Sequence, residues 1–66
     1  MLYRITPLPH IKPHQLQRLT ERLTRYGAQI QPAGAWLCEL TDEQISRVHD
    51  LYAHPAHAVV SIEQMD

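Results

Sequence analysis

The chain has 66 residues, a single cysteine and a formal net charge of −1. This length provides for one small domain over residues 1–66, and a lone cysteine excludes an internal disulfide. The near-neutral charge argues against a protein whose main task is to grip nucleic acid. Because no apolar run approaches the roughly 20 residues that span a bilayer, we expect no membrane segment and a cytoplasmic location if the chain is made as written.

Alternation of apolar and polar residues predicts that the chain begins with a strand over residues 2–6. Tyr3 and Ile5 would face a core, and the residues between them would face the other side. Pro7 then ends the strand, because proline cannot donate a hydrogen bond to a neighbouring strand.

An apolar stripe next predicts a helix over residues 14–26. Pro13 suits the first helical position, where its missing N–H costs nothing, and Gly27 is a left-handed C-cap. The stripe consists of Leu16, Leu19, Leu23 and Tyr26.

A hairpin follows the first helix. Residues 28–31 form a short strand that carries Ile30, and the turn chemistry of residues 32–34 folds it back onto a strand over residues 35–40. In this third strand the inward-facing residues are Trp36, Cys38 and Leu40.

The third strand continues directly into a second helix, over residues 42–53. Thr41 supplies an N-cap oxygen and Gln44 lies three residues later, so the junction predicts a capping box. Pro55 prevents the helix from continuing. Its buried stripe should be Ile45, Val48 and either Leu51 or Tyr52, and a last strand covers residues 58–65.

The element order βαββαβ predicts an α+β, ferredoxin-like domain: a four-stranded antiparallel sheet with two helices on one face. Right-handed crossovers leave few other topologies. The helices would cover Tyr3, Ile5, Ile30, Trp36, Cys38, Leu40, Val60 and Ile62. The opposite, open face would carry Leu2, Arg4, Thr6, Leu37, Glu39, Val59, Ser61, Glu63 and Met65, a mixture with several apolar members.

Residues that could carry chemistry do not form a recognisable site. The five histidines lack metal-ligand spacing, because Pro13 places His10 outside the first helix and Pro55 interrupts the later group. Cys38 belongs to the inward alternation and reads as a small buried hydrophobe. With no nucleophile motif and no glycine-rich phosphate loop, the sequence predicts no enzyme, no cofactor and no metal.

Two stretches of the second half resemble the propeptides of subtilisin-like serine proteases and the free-standing inhibitors related to them. In residues 36–45 a hydrophobic strand ends in an acid-Leu-Thr run, and a helix opens with an acidic Glu-Gln pair. Residues 59–66 read as apolar residues followed by Glu63 and the nearby Asp66. The resemblance covers about residues 35–66.

Members of that family share the ferredoxin-like fold, dock the open sheet face on the protease and lay a carboxyl-terminal tail in its active-site cleft. The resemblance therefore implies a non-enzymatic domain that inhibits a subtilisin-like protease or assists its folding. It also implies that Glu63 and Asp66 cap helices of the protease, because anions suit helix N-termini. The expected contact residues are Leu37, Glu39, Val59, Glu63, Met65 and Asp66.

A second class of function stays open: a small stand-alone antagonist or regulator, for example phage-encoded, that binds a host protein or nucleoprotein complex. It would use the sheet face or a basic stripe on the first helix, formed by Arg18, Arg22 and Arg25. Nucleic acid alone is a disfavoured partner, because the sheet lacks the paired aromatics on which RNA bases stack. A third partner hypothesis is homodimerisation through the open sheet.

Overall fold

The computed structural model describes residues 1–65 and confirms an α+β domain built from two helices and a four-stranded antiparallel sheet. Asp66 lies outside the described residues. The elements, in chain order, are β1 (Leu2–Pro7), α1 (Pro13–Arg25), β2 (Gln29–Ile30), β3 (Trp36–Glu39), α2 (Asp42–Tyr52) and β4 (Val60–Gln64).

The sheet order is β2-β3-β1-β4, and every neighbouring pair is antiparallel. The strand β3 therefore lies between β1 and β2, and β1 lies between β3 and β4, as expected when each βαβ unit is split by another strand. Order and pairing are consistent with the predicted ferredoxin-like sandwich. The first strand of the chain becomes a central strand, paired on both sides.

Both helices pack on one face of the sheet. Leu19 and Leu23 of α1 and Val48 of α2 are fully buried, and they join Ile5 and the other inward strand residues in a single core. Tyr52 completes the stripe of α2, whereas Leu51 is 48% exposed. Each helix therefore turns its predicted stripe to the core, with Leu16, Tyr26 and Ile45 only partly buried at the margins.

The ends of the helices follow their local sequence. The N–H of Gln44 donates to Thr41 Oγ1 at 3.1 Å and the N–H of Thr41 donates to Gln44 Oε1 at 3.0 Å, which completes the predicted capping box. After α1, Gly27 has a φ of 84°, the N–H of Ala28 donates to the Leu23 carbonyl at 2.9 Å, and the N–H of Gly27 donates to the Thr24 carbonyl at 3.0 Å. These bonds form a Schellman motif, which satisfies carbonyls that the last turn leaves free.

Two predictions about burial are wrong. Ile30 is 70% exposed, because β2 has only two residues and forms an edge of the sheet, paired with β3 alone. Val59 was expected on the open face but is 7% exposed and belongs to the core. It precedes β4, and its N–H donates to the Tyr52 carbonyl at 2.7 Å. The side chain of Val59 therefore does not follow the alternation of the strand.

Neither α1 nor α2 is long and apolar enough to cross a membrane. Within residues 1–65, histidine, cysteine and carboxylate side chains do not gather in a group of three or more that could hold a metal ion.

Candidate functional site

The face of the sheet opposite the helices has no layer of structure over it. Its strand register aligns side chains from three strands, and Met65 extends the face because its N–H donates to the Leu2 carbonyl at 2.9 Å. We define the open face by Leu2, Arg4, Thr6, Leu37, Glu39, Ser61, Glu63 and Met65.

A central row of the open face combines apolar and charged side chains. Arg4 of β1 lies directly opposite Leu37 of β3 and Glu63 of β4. Its Nη2 lies 3.3 Å from Glu63 Oε2, with the two side chains 42% and 62% exposed. An ion pair this exposed contributes little to folding stability. Its consequence is geometric, because it holds the Glu63 carboxylate over the sheet.

The β2–β3 turn forms one wall beside this row. Together with the open face it encloses a shallow concavity of about 600 Å³. Gly34, with a φ of 86°, lets the chain reverse at this turn, and its N–H donates to the Gln31 carbonyl at 2.9 Å. The concavity is lined by Arg4, Thr6, Gln31, Pro32, Ala33, Ala35, Leu37, Glu63 and Met65.

The structure brings three of the six predicted contact residues together around the concavity: Leu37, Glu63 and Met65. Glu39 is on the same face but accepts a bond from the Met1 amino group at 2.8 Å, away from the concavity. Val59 is in the core, as described above, and Asp66 is outside the described residues.

Sequence reasoning missed the contribution of Arg4 and of the turn. Arg4 meets Glu63 only because strands 59 positions apart in the chain are neighbours in the sheet. The alternation around Arg4 indicates its face, but neither its partner nor its place beside Pro32 can be read from local sequence.

The basic stripe is on the helical side of the domain. Arg18 and Arg25 are exposed, whereas Arg22 is half-buried and donates from Nη1 to the Tyr26 hydroxyl at 3.3 Å. The hydrogen bonds of Arg22 to Tyr26 and then Tyr52 raise the pKa of its guanidinium. Arg22 therefore has a structural role between the helices, and only Arg18 and Arg25 remain without a partner among residues 1–65.

Three of the five histidines, His10, His54 and His57, lie in loops outside the helices and strands. The rings of His54 and His57 stack with centroids 4.9 Å apart, and Nε2 of His10 donates to the Ala58 carbonyl at 2.8 Å. The N–H of Ala56 donates to His54 Nδ1 at 3.2 Å. These bonds hold the α2–β4 loop in place, which accounts for three histidines as structural residues of the loops.

Cys38 has the surroundings expected of a core residue. It is 1% exposed, and burial raises the pKa of its thiol to about 11. A nucleophilic cysteine needs an accessible site that favours the thiolate, whereas the site of Cys38 is inaccessible and favours the neutral thiol.

The geometry thus leaves the open face and its concavity as the candidate site. Comparisons of the chain with models of protein families, with curated proteins and with solved structures found no match.

Proposed function

We propose that this chain is a small non-enzymatic protein-binding domain that docks a partner protein on the open face. The observation that carries the proposal is the concavity around Leu37, Glu63 and Met65 on a sheet face that neither helix covers. Leu37 is half-buried and Met65 is 40% exposed, so a partner would remove further apolar surface from water.

Charges on the open face would set the orientation of the partner. The Arg4–Glu63 pair lies across the middle of the surface, and Glu39 lies toward the Met1 end. Polar groups around an apolar centre are typical of protein interfaces, in which they contribute to register and to the rate of association more than to affinity.

We infer further that the partner is a subtilisin-like serine protease, which the domain inhibits or assists in folding. The resemblance of residues 35–66 to subtilisin propeptides supports this step, because that family docks the same face of the same kind of sheet. Glu63 projects from this face beside Met65, in keeping with the anionic contact that the resemblance implies.

The test is inhibition of a panel of subtilisin-like proteases by the full chain and by two matched variants. Leu37→Ser changes an apolar residue that lines the concavity, and we expect it to weaken inhibition at least about tenfold by removing buried apolar area. Leu51→Ser changes a leucine that is 48% exposed on the helical side and should leave inhibition unchanged. Equal losses from both variants, or no inhibition by the folded chain, would contradict the protease proposal.

Removal of Asp66 separates the tail from the face, because Gln64 belongs to β4 and Met65 to the open face. Inhibition that needs both Leu37 and Asp66 is expected of the propeptide mechanism. Inhibition that survives removal of Asp66 would assign binding to the face alone.

A second function is favoured by Arg18 and Arg25, which are exposed and make no ion pair within residues 1–65. We propose as the alternative a stand-alone antagonist that uses these cations against an anionic host protein or nucleoprotein complex. Retention of the chain on heparin at low salt, abolished by combining Arg18→Glu with Arg25→Glu, is the expected sign. A native chain that flows through at low salt would sink this alternative.

A further inference from the structure

The two edges of the sheet differ in how well they are protected. At one edge, β2 has only two residues and runs into Pro32. Short strands and nearby prolines are features that prevent edge-to-edge association. At the other edge, β4 has five residues, Val60–Gln64, without proline, lysine or glycine. A regular strand edge of this kind is a template for another strand.

The register of β1 with β4 shows which backbone groups of β4 face outward. The N–H of Met65 donates to the Leu2 carbonyl, and the pairs continue through Arg4↔Glu63 and Thr6↔Ser61. Hydrogen-bonded positions alternate along an antiparallel pair, so Ser61 and Glu63 direct their N–H and C=O toward β1. The backbone groups of Val60 and Ile62 therefore point away from the sheet.

From this edge we propose that the chain forms a symmetric dimer in which β4 pairs antiparallel with β4 of a second copy. The twofold axis passes between Ile62 of one copy and Ile62 of the other, and the two residues exchange N–H···O=C bonds. The result is a continuous eight-stranded sheet, which leaves the open face of each copy accessible.

Three twofold-symmetric registers, centred on Ser61, Ile62 or Glu63, place the outward backbone groups of the two β4 strands opposite each other. The charges that face each other and the length of strand that overlaps distinguish them. A register centred on Glu63 places two carboxylates directly opposite each other, which destabilises a cross-strand pair. A register centred on Ser61 overlaps only residues 60–62 within β4, because its next outward position is Ala58, which precedes the strand and whose carbonyl already accepts a bond from His10. The register centred on Ile62 overlaps all five residues of β4 and places Glu63 opposite Ser61 of the second copy.

Side chains support the same register on the helical side. Ile62 lies on that side and is half-buried against the core, so part of its apolar surface remains exposed in one copy. Contact with Ile62 of the second copy removes that surface from water. Because the interface is limited to one strand and its neighbours, it is at the small end of protein interfaces and the dimer should be weak.

The experiment is sedimentation equilibrium of the full chain from micromolar to submillimolar concentration, with substitutions at Ser61. We expect a reversible rise from 7.7 kDa to twice that mass. Ser61→Lys creates two symmetric pairs with Glu63, and Ser61→Glu creates two repulsive ones. Cross-strand pairs of this kind should tighten or weaken the dimer about 2- to 30-fold, with opposite signs.

Matched controls and contrary outcomes are available in the same chain. Ser46 is also exposed but lies on α2, so Ser46→Lys and Ser46→Glu should leave the dissociation constant unchanged. A mass of 7.7 kDa at every concentration would overturn the proposal. So would weakening by Ser61→Lys, which indicates the Ser61-centred register, or a dimer lost on Leu37→Ser but indifferent to Ser61, which indicates face-to-face contact.

Discussion

At the scale of single residues, burial determines the accessibility and the protonation of the Cys38 thiol. Cys38 is 1% exposed between Trp36 and Leu40, which are also buried, and burial raises the pKa of its thiol from 9.0 to about 11. The thiol is therefore neutral and inaccessible in the native state at neutral pH. The thiol instead makes the free energy of unfolding depend on pH.

We expect stability to fall as pH rises between about 9 and 11, because the unfolded chain loses the Cys38 proton in that range while the folded chain keeps it. The full effect is on the order of 2–3 kcal/mol. Denaturant unfolding at several pH values measures it, and Cys38→Ala isolates the thiol from other groups that titrate there. An identical decline in the Cys38→Ala variant would contradict this assignment.

At the scale of elements, the helix ends are specified by short-range hydrogen bonds that their own residues provide. The capping box of α2 is closed by two bonds of 3.0–3.1 Å between Thr41 and Gln44, and α1 ends on Gly27 at a positive φ. Because these bonds join residues three apart, the sequence predicts them without knowledge of the fold.

Thr41→Ala removes the hydroxyl that accepts from the Gln44 N–H, so we expect it to lower the free energy of unfolding by about 1 kcal/mol. Thr24 is the matched control, since it is exposed within α1, and Thr24→Ala should change stability by less than about 0.5 kcal/mol. Both values come from urea denaturation. Equal effects of the two substitutions would mean that the cap contributes nothing beyond side-chain propensity.

At the scale of the whole molecule, stability depends on β1, which begins the chain but pairs with both β3 and β4. A domain of 66 residues has about 3–10 kcal/mol of stability in total. Because the central strand contacts segments from both halves of the chain, a single substitution in β1 can remove a large part of this free energy of unfolding.

The same substitution at two isoleucines tests this topology. Ile5 is fully buried in β1, so Ile5→Ala should cost about 2–5 kcal/mol, a large part of the total stability. Ile30 is 70% exposed on the edge strand β2, so Ile30→Ala should cost less than about 0.5 kcal/mol. Circular dichroism with urea titration measures both losses of unfolding free energy. A loss at Ile30 close to that at Ile5 would contradict the exposed position of Ile30 on the edge strand.

The sequence by itself determined what depends on neighbours a few residues apart. Both helices, the capping box of α2, the Gly27 end of α1 and the centres of the buried stripes follow from 3.6-residue periodicity and local hydrogen bonds, and the alternation of β1 and β3 indicates their inner faces. The element order then favoured the α+β sandwich that the structure shows, because few compact topologies accommodate it.

Only the tertiary structure decided matters that depend on strand neighbours and on where each strand begins. Ile30 is exposed because β2 is an edge, and Val59 is buried because β4 starts one residue after it; apolar character alone does not distinguish these positions. The pairing of Arg4 with Glu63 and the outward backbone groups of Val60 and Ile62 likewise arise from register between distant segments. Long-range register is set by the packing of the whole core, so no local pattern contains it.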